Sequence, residues 1–291
     1  MAEGTLNWKQ LRHEATQRLR VAFDDDRSQE ARWIVERVSG YSASELMIHD
    51  DEPVSVRSVA FFDELLARRE AFEPLQYVLG RWSFRTLELL VDRRVLIPRP
   101  ETETVAGIAI DLMAAAGPGA VAVDLGTGTG AIALSIAVEV PGAQVWATDV
   151  SPQAMAVAGA NLAGLGRPAT RVRLATGSWF DALDQELRAQ IDVIVSNPPY
   201  VRADAELAAE VLEWEPHSAL FAGDDGLDDI RLIVANASIW LRPGGWLVVE
   251  LSPEQAPVAL ELAMAAGLMD ADVRTDLTGR QRALVARRPV A

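Results

Sequence analysis

Residues 124–137 read DLGTGTGAIALSIA. An apolar run, GAVAVDLG, leads into them, and a helix-forming run follows. Gly126, Gly128 and Gly130 stand at alternate positions between the two. Without Cβ atoms this backbone turns tightly and lets a ligand lie against it. A strand, a glycine turn and a helix in that order open an α/β sheet, with the turn at the carboxyl end of the strand. The spacing G-x-G-x-G differs from the G-x-G-x-x-G of dinucleotide-binding turns. The backbone from Gly126 through Thr127, Gly128 and Thr129 to Gly130 is therefore a candidate ligand cradle. Asp124, just before it, is placed to meet a cationic or hydroxyl-rich ligand.

Outward from this turn the pattern repeats. AQVWATDV, VRLATG, IDVIVSN and GWLVVEL are short apolar runs with helix-like stretches between most of them. Such alternation predicts a parallel sheet with helices on both faces. Two late runs, ADVRTD and RALVARR, are separated only by the short turn TGRQ, which predicts an antiparallel hairpin at the sheet edge. The expectation is a doubly wound, seven-stranded, mostly parallel sheet whose last strand is antiparallel. The alanine-rich stretches AGIAIDLMAAAG and AMAVAGANLAGLG read simply as good helix formers.

Upstream the period changes. WKQLRHEATQRLR, QEARWIVERVSG and SVRSVAFFDELLARREA place apolar residues three and four apart. Ser39-Gly40 is a helix stop. This predicts a small bundle of four or five helices. GRWSFRTLELLVDRRVLI then alternates, as a β-hairpin does, and ends at the stiff Pro98-Arg99-Pro100. The expected organisation is a helical domain over 1–78, a hairpin linker over 79–100 and the sheet domain over 101–291.

Composition narrows the function. The chain has 291 residues, a net charge of −15, and no cysteine. No apolar run is long enough to cross a bilayer, and the polar N-terminus lacks the core of a signal peptide. A cytoplasmic protein is expected. Thiolate metal sites and thiol nucleophiles are excluded. His13, His49 and His217 are not at metal-ligand spacing, so no metal is expected. The acidity speaks against a large nucleic-acid footprint and against sequence-specific nucleic-acid binding. No heptad seam is visible, which favours a monomer.

Two further features carry chemistry. The strand QVWATDV ends in Asp149, placed to accept hydrogen bonds from two ribose hydroxyls; capping the helix after Ser151-Pro152 is the plainer alternative. The strand IDVIVS runs into Asn197-Pro198-Pro199-Tyr200. Proline fixes φ and lacks an N–H, so the pair ends the strand stiffly and holds its neighbours in place. An amide or exocyclic amine nitrogen is planar and a poor nucleophile. The Asn197 side-chain oxygen can accept one of its N–H groups and the Pro198 carbonyl the other. The ring of Tyr200 can pack against the flat group. These features suggest a nucleoside-bearing ligand at the strand ends. NAD and S-adenosylmethionine both qualify; the final hairpin and the Asn-Pro-Pro-Tyr strand end favour the second.

Over residues 101–288 the sequence resembles the class I S-adenosylmethionine-dependent methyltransferases. The tetrad resembles the motif of those that methylate a planar nitrogen. PLQYVLGRWSF, VLIPRPETE, GSWFD and EPHSALFAGDDGLDDIRLI extend the resemblance over nearly the whole chain. They are similar to the protein-(glutamine-N5) methyltransferases of peptide chain release factors, the PrmC or HemK family. The resemblance implies a Rossmann-like fold, S-adenosylmethionine as cofactor, and the glutamine of the Gly-Gly-Gln motif of class I release factors as substrate. It makes Gly126 to Gly130, Asp149 and Trp179 cofactor residues, with Asn197 beside them. Asn197, Pro198, Pro199 and Tyr200 become the substrate holders, and Asn197, Pro198 and Tyr200 the catalytic set. Pro98-Arg99-Pro100-Glu101-Thr102-Glu103 would close one side of the pocket, where Arg99 would meet either the cofactor carboxylate or a neighbouring acid. A paralogous ribosomal-protein glutamine methyltransferase, a nucleic-acid methyltransferase and a silent cofactor-binding scaffold are the rival readings. Two departures stand out: Ser252, where relatives often have glycine, and the alanines of the last strand.

Overall fold

The computed structural model describes residues 6–290. They form two compact units. One runs to Arg81 and takes in Ala208–Trp214; the other comprises Trp82–Leu207 and the chain from Glu215 onward.

The first unit is helical: α1 (Trp8–Phe23), α2 (Ser28–Ser39), α3 (Ala43–His49), α4 (Val56–Glu70) and α5 (Leu75–Leu79). Asn7 and Ser42 start α1 and α3 with capping boxes, and Gly40 ends α2 in the left-handed region. Leu11, Leu19, Ile34, Phe62 and Leu66 are fully buried along the apolar stripes. The guanidinium of Arg69, only 3% exposed, bonds Glu30 and the Glu210 carboxylate at 2.6 Å. Glu210 lies on α9 (Ala209–Trp214), so this ion pair fastens the returning segment to the bundle. A buried cation needs such partners.

A two-stranded hairpin follows, β1 (Arg81–Phe84) with β2 (Leu87–Leu90). Then come α6 (Thr102–Ala116), β3 (Val121–Leu125), α7 (Ala131–Glu139), β4 (Gln144–Asp149), α8 (Pro152–Ala163), β5 (Val172–Thr176) and β6 (Ile191–Ser196). After α9 the chain continues with α10 (Asp228–Trp240), β7 (Leu241–Glu250), α11 (Ala256–Ala265), β8 (Met269–Thr275) and β9 (Gln281–Arg287). The seven-stranded sheet has the order β5-β4-β3-β6-β7-β9-β8. Pairings from β5 through to β7 are parallel; β9 runs antiparallel to both its neighbours. The expected fold is the observed one.

Alternation along the strands builds two cores. Ala122, Val193, Val195 and Val248 face α6 and α7; Val123, Leu125, Ile194, Leu247 and Val249 face α10 and α11. The last strand's alanines fit this scheme. Ala283 and Ala286 are both fully buried, one in each core, where helices close in and larger side chains would overpack.

From β3 the chain steps one way to β4 and β5, and β6 and β7 lie on the other side. The switch point is therefore between β3 and β6, where ligands bind at carboxyl ends of strands in open α/β sheets. The glycine turn follows β3 and the asparagine-proline tetrad follows β6. Among the described residues no helix is long and apolar enough to cross a membrane.

Candidate active site

The turn after β3 is held almost entirely by backbone. Gly126 and Thr127 donate their N–H groups to the Thr148 carbonyl at 2.9 and 2.8 Å. Gly126, Gly128 and Gly130 have φ of 74°, 54° and 87°, a region open to glycine at little cost. Asp124 does not face a ligand, contrary to the expectation from sequence. It points inward from β3 and is fully buried. Its Oδ2 accepts from Thr127 Oγ1 at 2.6 Å and from the Ala133 N–H at 3.1 Å, tying the turn to the start of α7. Burial pushes its pKa up from the ordinary 3.8 to about 7, against the pull of those two donors.

Asp149 does not itself cap α8; it bonds two backbone N–H groups around the strand end. Its Oδ1 accepts from the Ser151 N–H at 2.9 Å, a local turn bond, while Ser151 caps α8 through its own hydroxyl. Its Oδ2 accepts from the Gly128 N–H at 2.9 Å and so braces the glycine turn. Each carboxylate oxygen keeps acceptor capacity after one bond.

A cavity of about 240 Å³ opens at these strand ends. Gly126, Thr127, Gly128, Thr129 and Asp149 line one end; Asn197, Pro199 and Thr102 line another part. Trp179 is on the wall too. Its φ is 44°, and Asp229, whose carboxyl pKa burial raises, is a second wall residue. A Cβ on Gly126 would sit 3.4 Å from the Trp179 ring, so glycine lets the ring lie on the turn. Gly130, Pro198 and Tyr200 are not on the wall. Gly130 is buried where α7 begins and Pro198 is buried behind the strand end.

The tetrad is held by side chains. Asn197 Nδ2 donates to Thr102 Oγ1 at 3.1 Å, and among the described residues no donor reaches its Oδ1. Tyr200 donates its hydroxyl to Glu250 Oε1 at 3.2 Å; burial and that carboxylate both push its pKa up. The Tyr200 carbonyl accepts from Gln255 Nε2 at 2.9 Å, and the same nitrogen reaches the Gly226 carbonyl at 2.9 Å. Ser252 accounts for Gln255. It has φ of −79°, which asks for no glycine, and forms a capping box with Gln255 that aims that side chain.

Arg99 meets an acid. Its Nη2 lies 2.5 Å from Glu215 Oε1, and the buried Glu215 also accepts from the Ile97 N–H at 3.1 Å. This fixes the segment 215–219, of which Pro216, Ser218 and Ala219 line the cavity. Asn161, passed over within its alanine-rich helix, carries the Thr129 carbonyl on its Nδ2 at 2.9 Å and pairs with the Leu90 backbone. Thr102 was picked out from sequence, as part of the segment expected to close one side of the pocket, and it lies on the wall with Pro98. Asn161, Asp229, Glu250 and Gln255 were not. Only the acid at a strand end, Glu250, had a signal, the same one that singled out Asp149.

Comparison with known proteins adds to this geometry. Residues 10–80 match the family described as PrmC N-terminal domain, and residues 108–215 the methyltransferase small domain. A release factor glutamine methyltransferase of Cereibacter sphaeroides is 41% identical over 279 residues, 95% of this chain and 97% of that one. Another, of Deinococcus radiodurans, is 37% identical over 96% of this chain and 98% of that one. Among solved structures, the N-terminal domain of human METTL16 in complex with SAH matches with a TM-score of 0.52 at 20% identity. It covers 76% of this chain and 82% of that one, and the likeness is one of fold.

Proposed function

The chain belongs to the release factor glutamine methyltransferase family, and from that premise we propose that it methylates the side-chain amide nitrogen of the glutamine in the Gly-Gly-Gln motif of class I peptide chain release factors, with S-adenosylmethionine as the methyl source. The residues present fit that cofactor. A glycine turn accepts a close-lying ligand, Asp149 keeps lone pairs for ribose hydroxyls, and Trp179 offers a flat apolar face for adenine. Gly126 to Gly130 would hold the methionine end. When bound, the cofactor supplies an electrophilic methyl group.

The protein's task is then to present the amide nitrogen. Asn197 Oδ1 accepts one N–H and the Pro198 carbonyl the other, which orients the nitrogen and supports the positive charge that grows on it. An alkylated amide nitrogen is acidic, so no strong base is required. Pro199, on the cavity wall, flanks the flat amide, and Tyr200 holds the strand exit from behind. The observation that carries this reading is the polarity of Asn197: its amino group is spent on Thr102, and its oxygen is left for a donor. The helical unit is assigned to holding the release factor, the enzyme to working as a monomer, and the site of action to the cytoplasm, where release factors operate.

The test is transfer of labelled methyl groups to a purified release factor, with the label mapped by peptide mass spectrometry. One methyl on the Gly-Gly-Gln glutamine, lost when that glutamine is replaced, is the expected result. Label on a ribosomal protein or RNA instead would move the substrate. Cofactor binding with no transfer to any of them would leave a scaffold.

A further inference from the structure

The side-chain amide of Gln255 makes three hydrogen bonds, all to main chain. Its Nε2 donates to the Tyr200 and Gly226 carbonyls, each at 2.9 Å. Its Oε1 accepts from the Ser252 N–H at 3.1 Å. The residue is buried. A carboxamide carries two hydrogens on one side and an acceptor on the other, and here both sides are matched. Turned over, it would set its oxygen against two carbonyls and its amino group against an N–H. The three backbone partners therefore fix one orientation of the amide.

What it holds is the exit of the tetrad. Upstream the chain is fixed by the sheet: Ser196 pairs with Val249, and its hydroxyl donates to the Leu125 carbonyl at 2.7 Å. Downstream the Val201 N–H donates to the Leu220 carbonyl at 2.8 Å, and the Ala222 N–H to the Val201 carbonyl at 2.9 Å. Between these points Pro198 and Pro199 have no N–H to give, so their stretch of main chain is held through carbonyls. The Pro198 carbonyl is kept for the substrate amide; the Tyr200 carbonyl is the one that Gln255 takes. Gly226 lies close against it, since a Cβ there would come within 2.3 Å of the Tyr200 oxygen. Two buried carbonyls converging on one point need a donor between them, and the Gln255 amino group is that donor. We propose that Gln255 is a positioning residue for methyl transfer: its amide pins the Tyr200 carbonyl to the Gly226 turn and so fixes where Asn197 and the Pro198 carbonyl meet the substrate amide. The assignment rests on the reading of the tetrad as substrate holder given above.

The prolines carry the effect of the pin. With φ fixed at two successive residues, little rotation is left between Ser196 and Tyr200, so a shift at the exit is passed back to Pro198 and Asn197. The site needs two donors and one acceptor on a single uncharged head, which singles out glutamine among side chains of this length. Glutamate keeps the shape but loses both donors and faces the two carbonyls with another acceptor. Methionine keeps the length and loses donors and acceptor together. A side chain that only filled space would be replaced by either; a pin is lost in both.

The test compares full-length Gln255→Met and Gln255→Glu with wild type in three measurements: single-turnover methyl transfer to the release factor, calorimetric titration with S-adenosylmethionine, and hydrogen exchange of the Val201 and Ala222 N–H groups read by NMR. The transfer rate should fall about tenfold in Gln255→Met and further in Gln255→Glu. Cofactor affinity should stay within about threefold, and exchange at both N–H groups should quicken as the exit loosens. Gln255→Met buries no charge and carries the test even where Gln255→Glu does not fold. Wild-type turnover in either variant, unchanged exchange at Val201 and Ala222, or cofactor affinity lost along with turnover would overturn the pin. Quickened exchange in the variants of a protein whose wild type methylates no release factor would uphold the pin and sink the function reading instead.

Discussion

The two ends of the cavity are built in opposite ways. The end at β3 and β4 is made of backbone. Its glycine turn hangs on the Thr148 carbonyl and on Asp149, all within 26 residues of chain, and its one deep carboxylate, Asp124, serves only the turn. The end at β6 is made of side chains gathered from across the sheet unit: Thr102, Tyr200, Glu250 and Gln255. A backbone cradle suits a ligand recognised by shape and close approach. A side-chain network suits a group whose donor and acceptor directions must be fixed at the moment of reaction. The two ends should therefore fail differently.

The largest effect is expected at the side-chain end. Asn197→Ala should lower kcat about a hundred- to a thousandfold, the scale of losing one oriented polar group at a developing charge. Single-turnover methyl transfer measures this. Wild-type turnover in that variant would remove the asparagine from the chemistry.

Glu250→Gln should next reveal the cost of burying an acid there. The unfolded chain loses this proton near 4.5 and the folded chain near 7. Between the two the folded state holds more proton, so its stabilising contribution is complete below 4.5 and disappears as pH rises through 7. The stability of wild type relative to the variant should fall by up to about 3 kcal/mol between pH 5 and pH 8. Asp124 titrates in both proteins and cancels. Denaturant melts at the two pH values decide it; an equal gap at both would mean that Glu250 keeps one charge state.

A smaller effect should come from Gly226→Ala. A Cβ there would lie 2.3 Å from the Tyr200 carbonyl oxygen and 2.8 Å from Gln255 Nε2, on a backbone with φ of 72°. The tetrad's exit must shift, so kcat should drop about tenfold while cofactor affinity holds. If affinity fell instead, the two ends would be mechanically one.

The same contrast explains what could be read from the chain alone. The fold was legible because apolar alternation and helical periodicity are local, and so was the backbone end, since Gly126, Gly128 and Gly130 announce a turn where they stand. Asn197 was visible because two prolines mark it. Glu250 and Gln255 were not, because each is an ordinary residue until the sheet order brings β7 beside β6. Asp124 was misread for the same reason: its direction depends on strand alternation within a two-faced sheet, which sends it into the turn. Ser252 looked like a loss of glycine and is a cap.

The most direct test of a cavity with two separable ends is calorimetric titration of Asp149→Ala and Asn197→Ala with S-adenosylmethionine. The account predicts affinity weakened about ten- to a hundredfold in Asp149→Ala, the worth of hydrogen bonds to a charged group, and unchanged within about threefold in Asn197→Ala. Equal weakening in both would contradict it.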